Sequence, residues 1–464
     1  MTKAPQIFDF IVIGGGSAGF AGARTAVAQG KRVAIVDGSE TLGGLCILRG
    51  CMPSKTLIYA AEVLHHAKHG KTFGLDIPTA KIDIQALHKR KKAIIEDFAS
   101  YRQEQLGSKD FTVFRSNAHF TGPNTVELDD GTELKGEKFL IATGSVISEP
   151  DVPGLAHARK LTSDEILDLD YVPESVVVLG GGIVACELGQ FLRRIGSRVI
   201  MIQRSKHILK ETSSEAASVV EQAFRDEGIE LYTDTAIQQI TQGPDGVHIR
   251  FHHQGKRASV EAKYLVNALG RKPATTTLDL EAAGIQTKPS GHIEANRFQQ
   301  TTNPNIYAAG DCTGPHEIVH IAILQGECAA KHAGGHKPPP MDYDHVLKVI
   351  FTDPQVAQVG LSEKEIQKRN IPYVSAEYPF NDHGKSILME AHYGYVKIFA
   401  NKDMGCILGA ECVGRDASEL IHPLSVAVAL EASASDMLKA HWYHPTLSEI
   451  WTYPLEEIAE AVTS

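Results

Sequence analysis

The feature that most constrains this chain is a unit that occurs twice: a buried strand, a glycine turn, a helix and a second strand. The first copy reads F-D-F-I-V-I at 8–13, G-G-G-S-A-G at 14–19, a helical F-A-G-A-R-T-A-V-A-Q, and R-V-A-I-V ending at Asp37. The second reads S-V-V-V-L at 175–179, G-G-G-I-V-A at 180–185, and S-R-V-I-M-I ending at Gln203 and Arg204. Near-continuous apolar runs of this length suit parallel strands covered on both faces. In such a turn the first glycine makes the bend. The second lets the backbone approach a pyrophosphate, and the third lets helix and strand pack closely. Gly14, Gly16 and Gly19 hold those places in the first copy; Gly180, Gly182 and Ala185 hold them in the second. Asp37 stands where a carboxylate accepts hydrogen bonds from a ribose. Two such units imply an α/β chain with two Rossmann-like domains and two dinucleotides, one held permanently and one exchanging.

Soon after the first unit comes G-G-L-C-I-L-R-G-C-M-P-S-K at 43–55, with Cys46 and Cys51 five positions apart. An ideal helix would set them about 7.5 Å apart along its axis and on diverging faces. A disulfide needs Cα atoms about 4.4–6.8 Å apart. A bonded pair therefore requires an irregular helix. Gly50 permits the break, and Pro53 suits a first helical turn. A helix start also favours a thiolate. A close cysteine pair beside a dinucleotide points to electrons passing between a cofactor and a disulfide.

This run resembles the redox-active segment of the flavin-dependent pyridine nucleotide–disulfide oxidoreductases, which include dihydrolipoyl dehydrogenase, glutathione reductase and mercuric reductase. The family pattern is G-G-T-C-x-N-x-G-C-x-P-S-K; Leu45 and Leu48 replace the Thr and Asn. The resemblance continues through I-A-T-G-S at 141–145, N-A-L-G-R-K-P at 267–273 and T-T-N-P-N-I-Y-A-A-G-D-C at 301–312. It implies tightly bound FAD on the first unit, with Gly14, Gly16, Gly19, Asp37, Gly43, Gly44, Lys55, Ala118, Thr143, Gly144 and Asp311 as contacts. NAD(P) is implied on the second, at Gly180, Gly182, Gln203, Arg204 and Gly270. Cys46 is then the interchange thiol, and Cys51 faces the flavin. Lys55 and Glu187 match a family pair beside the flavin. A helix from about Ile318 to Ala333 is expected to point its N-terminus at the flavin ring.

Near the end stands A-H-W-Y-H-P-T-L-S-E at 440–449. Disulfide reductases of the family carry H-P-T-x-x-E here, so the resemblance makes His444 a general acid–base and Glu449 its orienter. A plain reading is a capped helix start, with Thr446 and Glu449 as a capping box. Mercuric reductases match V-I-F-T-D-P-Q-V-A and N-P-N-I-Y-A-A-G-D-C-T, yet lack this dyad and end in a cysteine pair. The dyad favours a dithiol or disulfide substrate, and Ile183 replaces the gating Tyr of glutathione reductases.

A length of 464 residues allows about three domains. The expected division is an FAD domain at 1–150 and 275–338, an NAD(P) domain at 151–274, and a C-terminal α+β dimerisation domain at 339–464. The Gly/Pro-rich A-G-G-H-K-P-P-P-M at 333–341 reads as a linker. A net charge of −10 argues against nucleic acid, and no apolar run suits a membrane span. The first strand begins too early for a signal peptide. The seven cysteines show no secreted framework, so a reducing, cytoplasmic compartment is expected. His65, His66 and His69 lie at helical spacing and read as a solvated face rather than a metal site. Lys89 to Lys92 reads as a surface basic run.

The function implied by the resemblance is dihydrolipoyl dehydrogenase-like. A homodimer passes electrons between a small dithiol or lipoyl-protein substrate, the Cys46–Cys51 disulfide, FAD and NAD(P), with NADP tolerated. The alternatives are a reductase of another disulfide or of mercuric ion, and a flavoprotein subunit that structures a lipoyl-protein complex.

Overall fold

The computed structural model describes residues 5–463. Its first part comprises β1 (Gln6–Ile13), α1 (Ser17–Ala28), β2 (Val33–Val36), α2 (Gly44–Arg49), α3 (Cys51–Lys68), α4 (Ile84–Leu106), β3 (Phe111–Phe114), β4 (Ala118–Gly122), β5 (Thr125–Leu128) and β6 (Glu133–Ile141). The sheet runs β3-β2-β1-β6-β5-β4, and Ile306–Ala308 joins it parallel to β6. The apolar run of β1 serves two cores. Ile11 and Ile13 pack on one face with Phe139 and Ile306; Phe10 and Val12 pack on the other with Ala23 and Leu140. Burial on both faces is what demands a continuous apolar strand rather than an alternating one.

The second unit has a parallel sheet built on Ser175–Leu179, flanked by Arg198–Ile202 and Tyr264–Asn267. A three-stranded antiparallel sheet covers it, built from Thr235–Gly243, Gly246–His253 and Lys256–Ala262. The chain enters through Ser145–Ile147 and returns through Arg271–Pro273, and these two strands pair antiparallel. The motifs I-A-T-G-S and N-A-L-G-R-K-P thus lie side by side at the crossing.

The C-terminal part is a five-stranded antiparallel sheet from Leu347–Ile350 to Ile407–Gly414, followed by short helices and Thr452–Thr463. Trp451 is its largest buried side chain, and its indole donates to Leu420 O at 2.8 Å. Buried Arg194 ties this part to the second unit by pairing with Glu227 and Asp353 at 2.6 and 2.7 Å.

Two sets of side chains expected at the surface turn inward instead. Lys91 is buried on α4, where it donates to Asp168 at 2.6 Å; the polar helix turns one member of its basic run inward to meet a carboxylate. His65 and His66 are half-buried on α3 rather than solvated. Burial and the nearby Arg194 push His65 down to about 3, and His66 sits between Glu62 and Arg415. No group of metal-ligating side chains occurs among the described residues.

Candidate active site

The cysteine pair sits at a helix break. Cys46 lies in α2, and Cys51 opens α3. Between them Gly50 adopts φ −131°, ψ −119°. A Cβ at Gly50 would stand 2.9 Å from Leu45 O and 3.1 Å from Cys46 Cα, so any other residue would force the backbone of this turn to shift. Both cysteines are thiols here and hydrogen-bond to one another. That bond raises Cys46, with burial adding to it. The same bond, together with the Lys55 charge, brings Cys51 down to about 7 against the cost of burial. The asymmetry makes Cys51 the thiolate of the pair.

Lys55 follows one turn along α3. Its Nζ donates to Glu187 Oε2 at 2.7 Å and lies 4.7 Å from the Phe351 ring centroid. Glu187 is 4% exposed, and its other oxygen accepts the Phe351 N–H at 2.9 Å. A buried carboxylate thereby fixes a cation beside the cysteines, and Lys55, Glu187 and Phe351 each come from a different part of the fold.

These groups line a cavity of about 1310 Å³. Gly14, Gly16, Asp37, Gly44, Cys46, Cys51, Lys55, Ala118, Thr143, Gly144, Glu187 and Asp311 all reach its wall. Gly19 and Gly43 lie off it. A Cβ on Gly19 would come within 1.9 Å of Gly14 O, so Gly19 serves the packing of α1 against the turn. A dinucleotide fits this wall. The backbones of Gly16 and Gly44 pass so closely that a Cβ on Gly44 would lie 2.6 Å from Gly16 Cα. Thr143 Oγ1 is buried at the wall without a hydrogen-bond partner among the described residues, and a ligand polar group would supply one. Asp37 accepts the Gly15 N–H at 2.7 Å and the Ser39 N–H at 2.9 Å. Asp311 accepts from Ser145 Oγ at 2.7 Å, and Arg271 donates to Ser145 Oγ and O at 2.8 Å each. The acid of the 301–312 motif is thus wired to both crossing strands. Glu317, Ile318 and His320, at the start of the helix Val319–Ala333, complete this side.

Among the NAD(P) candidates, Gly182 reaches the same cavity, beside Ile183. The others gather around the neighbouring turn. A Cβ on Gly180 would lie 2.4 Å from Ala268 O, in the loop that carries Gly270, and one on Gly181 would lie 3.0 Å from the Gln203 side chain. Gln203 is buried, while Arg204 and Lys206 are exposed.

His444 and Glu449 stand apart from the cavity wall. His444 is 80% exposed, whereas Glu449 is 13% exposed. His444 Nδ1 lies 3.1 and 3.0 Å from the two carboxylate oxygens. Half of the capping box forms: the Glu449 N–H donates to Thr446 Oγ1 at 3.3 Å. The carboxylate turns to the imidazole instead of completing it. An Nδ1–H held by a carboxylate leaves Nε2 as the free, proton-accepting nitrogen.

Comparison with known proteins agrees with this geometry. The pyridine nucleotide-disulphide oxidoreductase model matches residues 8–326, and the dimerisation domain of the same family matches 346–454. The chain belongs to the pyridine nucleotide-disulphide oxidoreductases. It is 34% identical to the dihydrolipoyl dehydrogenase of Chlamydia pneumoniae, over 96% of each chain. It is 32% identical to the mercuric reductase of Bacillus cereus, over 95% of this chain and 70% of that one. Among solved structures, LpdA from Mycobacterium tuberculosis superposes with a TM-score of 0.86 at 27% identity, covering 97% of this chain and 99% of that one. The HOCl-induced flavoprotein disulfide reductase RclA of Escherichia coli shares the fold at TM-score 0.86 and 23% identity, over 97% and 99%.

This family member is therefore an FAD-dependent dithiol/disulfide oxidoreductase of the dihydrolipoyl dehydrogenase type, and FAD and NAD(P) are its family's cofactors. No helix among the described residues is long and apolar enough to cross a membrane. Phe351 and Ser145 hold Glu187 and Asp311, Arg271 holds Ser145, and His383 faces Glu449; Phe351 and Ser145 stand within V-I-F-T-D-P-Q-V-A and I-A-T-G-S, and only His383 lies outside any motif of the sequence. Arg271 stands within the N-A-L-G-R-K-P motif, a signal that could have found it.

Proposed function

We propose that this flavoprotein oxidises a small dithiol or a lipoyl-protein at Cys46 and Cys51, with a nicotinamide as electron acceptor. The observation that carries this reading is the cysteine pair at the helix break, set in the cavity wall beside the Lys55–Glu187 pair. In the oxidised protein a substrate thiolate attacks Cys46 Sγ of the Cys46–Cys51 disulfide. A mixed disulfide forms, and Cys51 leaves as the thiolate that Lys55 stabilises. The second substrate thiol then displaces Cys46. The substrate becomes a disulfide and the cysteines a dithiol. His444 Nε2 takes the proton of the attacking thiol, with Glu449 holding the ring. The wall from Gly14 to Asp311 would hold FAD, which when bound would supply two-electron transfer between the cysteine pair and the nicotinamide. Lys55 and Glu187 set the charge beside it, and the helix start at Val319 adds a positive dipole end.

The domain division stated above, tight retention of FAD, tolerance of NADP(H) and a homodimer sharing its active sites belong to this reading. So does a cytoplasmic location, since in a reducing compartment a disulfide that persists is usually catalytic. The His444–Glu449 pair favours a dithiol over mercuric ion, because a metal ion offers no thiol proton to accept. A steady-state screen of lipoamide, dihydrolipoamide, glutathione disulfide and mercuric ion with both nicotinamides tests it. Turnover confined to mercuric ion or glutathione disulfide would refute the dithiol assignment. No turnover with any of them would leave the structural-subunit reading in its place.

A further inference from the structure

Glu449 faces two imidazoles, not one. On its far side lies His383, which is 0% exposed, with Nε2 3.5 Å from Glu449 Oε1. His383 stands just before the helix Gly384–Leu388, and that helix carries Ser386, also 0% exposed. Ser386 Oγ lies 2.8 Å from His383 Nδ1. The Tyr453 ring meets the imidazole edge-on at 6.3 Å between centroids, and Tyr378 stacks on Tyr453 at 3.8 Å.

The chemistry of the neighbours fixes the tautomer. A carboxylate only accepts, so the ring nitrogen facing it carries the proton. Ser386 then donates to Nδ1. His383 Nε2 makes no hydrogen bond among the described residues and meets Glu449 Oε1 at the longer distance of 3.5 Å; a buried ring N–H without an acceptor is costly, which favours that contact. Among the described residues, the carboxylate it faces is Glu449. Burial lowers the pKa of His383 against the pull of Glu449, which keeps the ring neutral. The chain Ser386–His383–Glu449–His444 runs from a closed interior to an 80% exposed imidazole.

We infer that His383 is a positioning residue for thiol exchange: its Nε2–H, braced by Ser386, holds the Glu449 carboxylate in the orientation that presents His444. The role rests on the proposed use of the His444–Glu449 pair. Without His383, Glu449 Oε1 would lose the imidazole it faces on its buried side, and the carboxylate would be free to rotate toward the Thr446 cap it now forgoes.

Four variants test this: His383→Leu, His383→Gln, Glu449→Gln and the double variant H383L/E449Q. Each is assayed for dihydrolipoamide oxidation and for nicotinamide-driven reduction of ferricyanide, which bypasses the thiol step and monitors the folded, flavin-loaded protein. His383→Leu should lower kcat for dihydrolipoamide about tenfold, with KM for the nicotinamide and the ferricyanide rate unchanged. His383→Gln, whose amide can donate to Glu449, should recover to within about threefold of wild type. The double variant should be no slower than Glu449→Gln, because His383 acts through that carboxylate. Additive losses, equal damage from Leu and Gln, or ferricyanide rates falling in step would overturn the inference. A slow Glu449→Gln beside a fully active His383→Leu would refute the role of His383 alone. Wild-type turnover in Glu449→Gln would remove the dyad, and His383's role with it.

Discussion

At the scale of single residues, the chemistry turns on which of two neighbouring thiols ionises. Cys51 is lowered to about 7, first by the hydrogen bond from Cys46 and then by Lys55, while Cys46 is raised. Below that value Cys51 is a thiol; above it, a thiolate. The two-electron-reduced protein should therefore gain a long-wavelength charge-transfer absorbance as pH rises through about 7. Cys51→Ser should abolish the band, whereas Cys46→Ser, which has no disulfide to reduce, should show it while its flavin is still oxidised. Lys55→Met removes a charge that favours the thiolate, so the midpoint should move up in pH. A band that survives in Cys51→Ser would reverse the assigned roles. The coenzyme choice is also a residue-scale matter. NAD-specific folds place an acid at the end of the second strand; here buried Gln203 occupies it, with Arg204 and Lys206 exposed beyond. Wild type should turn over both nicotinamides. Gln203→Glu should favour NAD(H) by at least about tenfold in kcat/KM, or about 1.4 kcal/mol. A wild-type preference for NAD(H) of about a hundredfold would refute this and leave Gln203 as a neutral ribose ligand.

At the scale of elements, the break between α2 and α3 creates the pair, and Gly50 creates the break. A methyl group there would press on Leu45 O at 2.9 Å and Cys46 Cα at 3.1 Å, both backbone atoms unable to swing aside. Gly50→Ala should cost about 1–3 kcal/mol, read by denaturant unfolding. It should also slow closure of the disulfide, read by thiol titration after oxidation; a variant that closes at the wild-type rate would show that the break tolerates a Cβ. This break was legible in the sequence, because a five-position spacing, a glycine and a proline are local signals. The strand–turn–helix units were legible for the same reason: Gly14 and Gly180 are demanded by the turn itself. Lys91 was not, since the inward face of a mostly polar helix depends on Asp168, supplied by another segment. His383 was not, since it meets Glu449 only when the Gly384–Leu388 helix and the C-terminal turn pack together. Local motifs show what the nearby chain can do, and leave open which distant side chain will satisfy a buried carboxylate.

At the scale of the molecule, the two halves of the proposed thiol chemistry lie on different surfaces of one chain. Cys46 and Cys51 line the cavity; His444 does not, and it projects outward at 80% exposure while Glu449 behind it is nearly buried. A buried orienter serving an exposed imidazole makes sense if the imidazole enters a site on another surface, and the chain carries its family's dimerisation domain at 346–454. In a two-fold dimer the same contact occurs twice, so each site would join Cys46 of one copy to the histidine of the other. Homodimers of Cys46→Ser and of His444→Ala should then both be nearly inactive. In a mixed dimer of the two variants, one site carries both changes and the other carries neither. Unfolding and refolding the variants together should restore activity toward about a quarter of wild type under random pairing, because about half the dimers are mixed and each has one intact site. The lesions do not repair one another; pairing sorts them into a single ruined site. If mass-tagged mixtures demonstrably contain the heterodimer and remain inactive, His444 serves its own chain or no thiol at all, and the shared site fails.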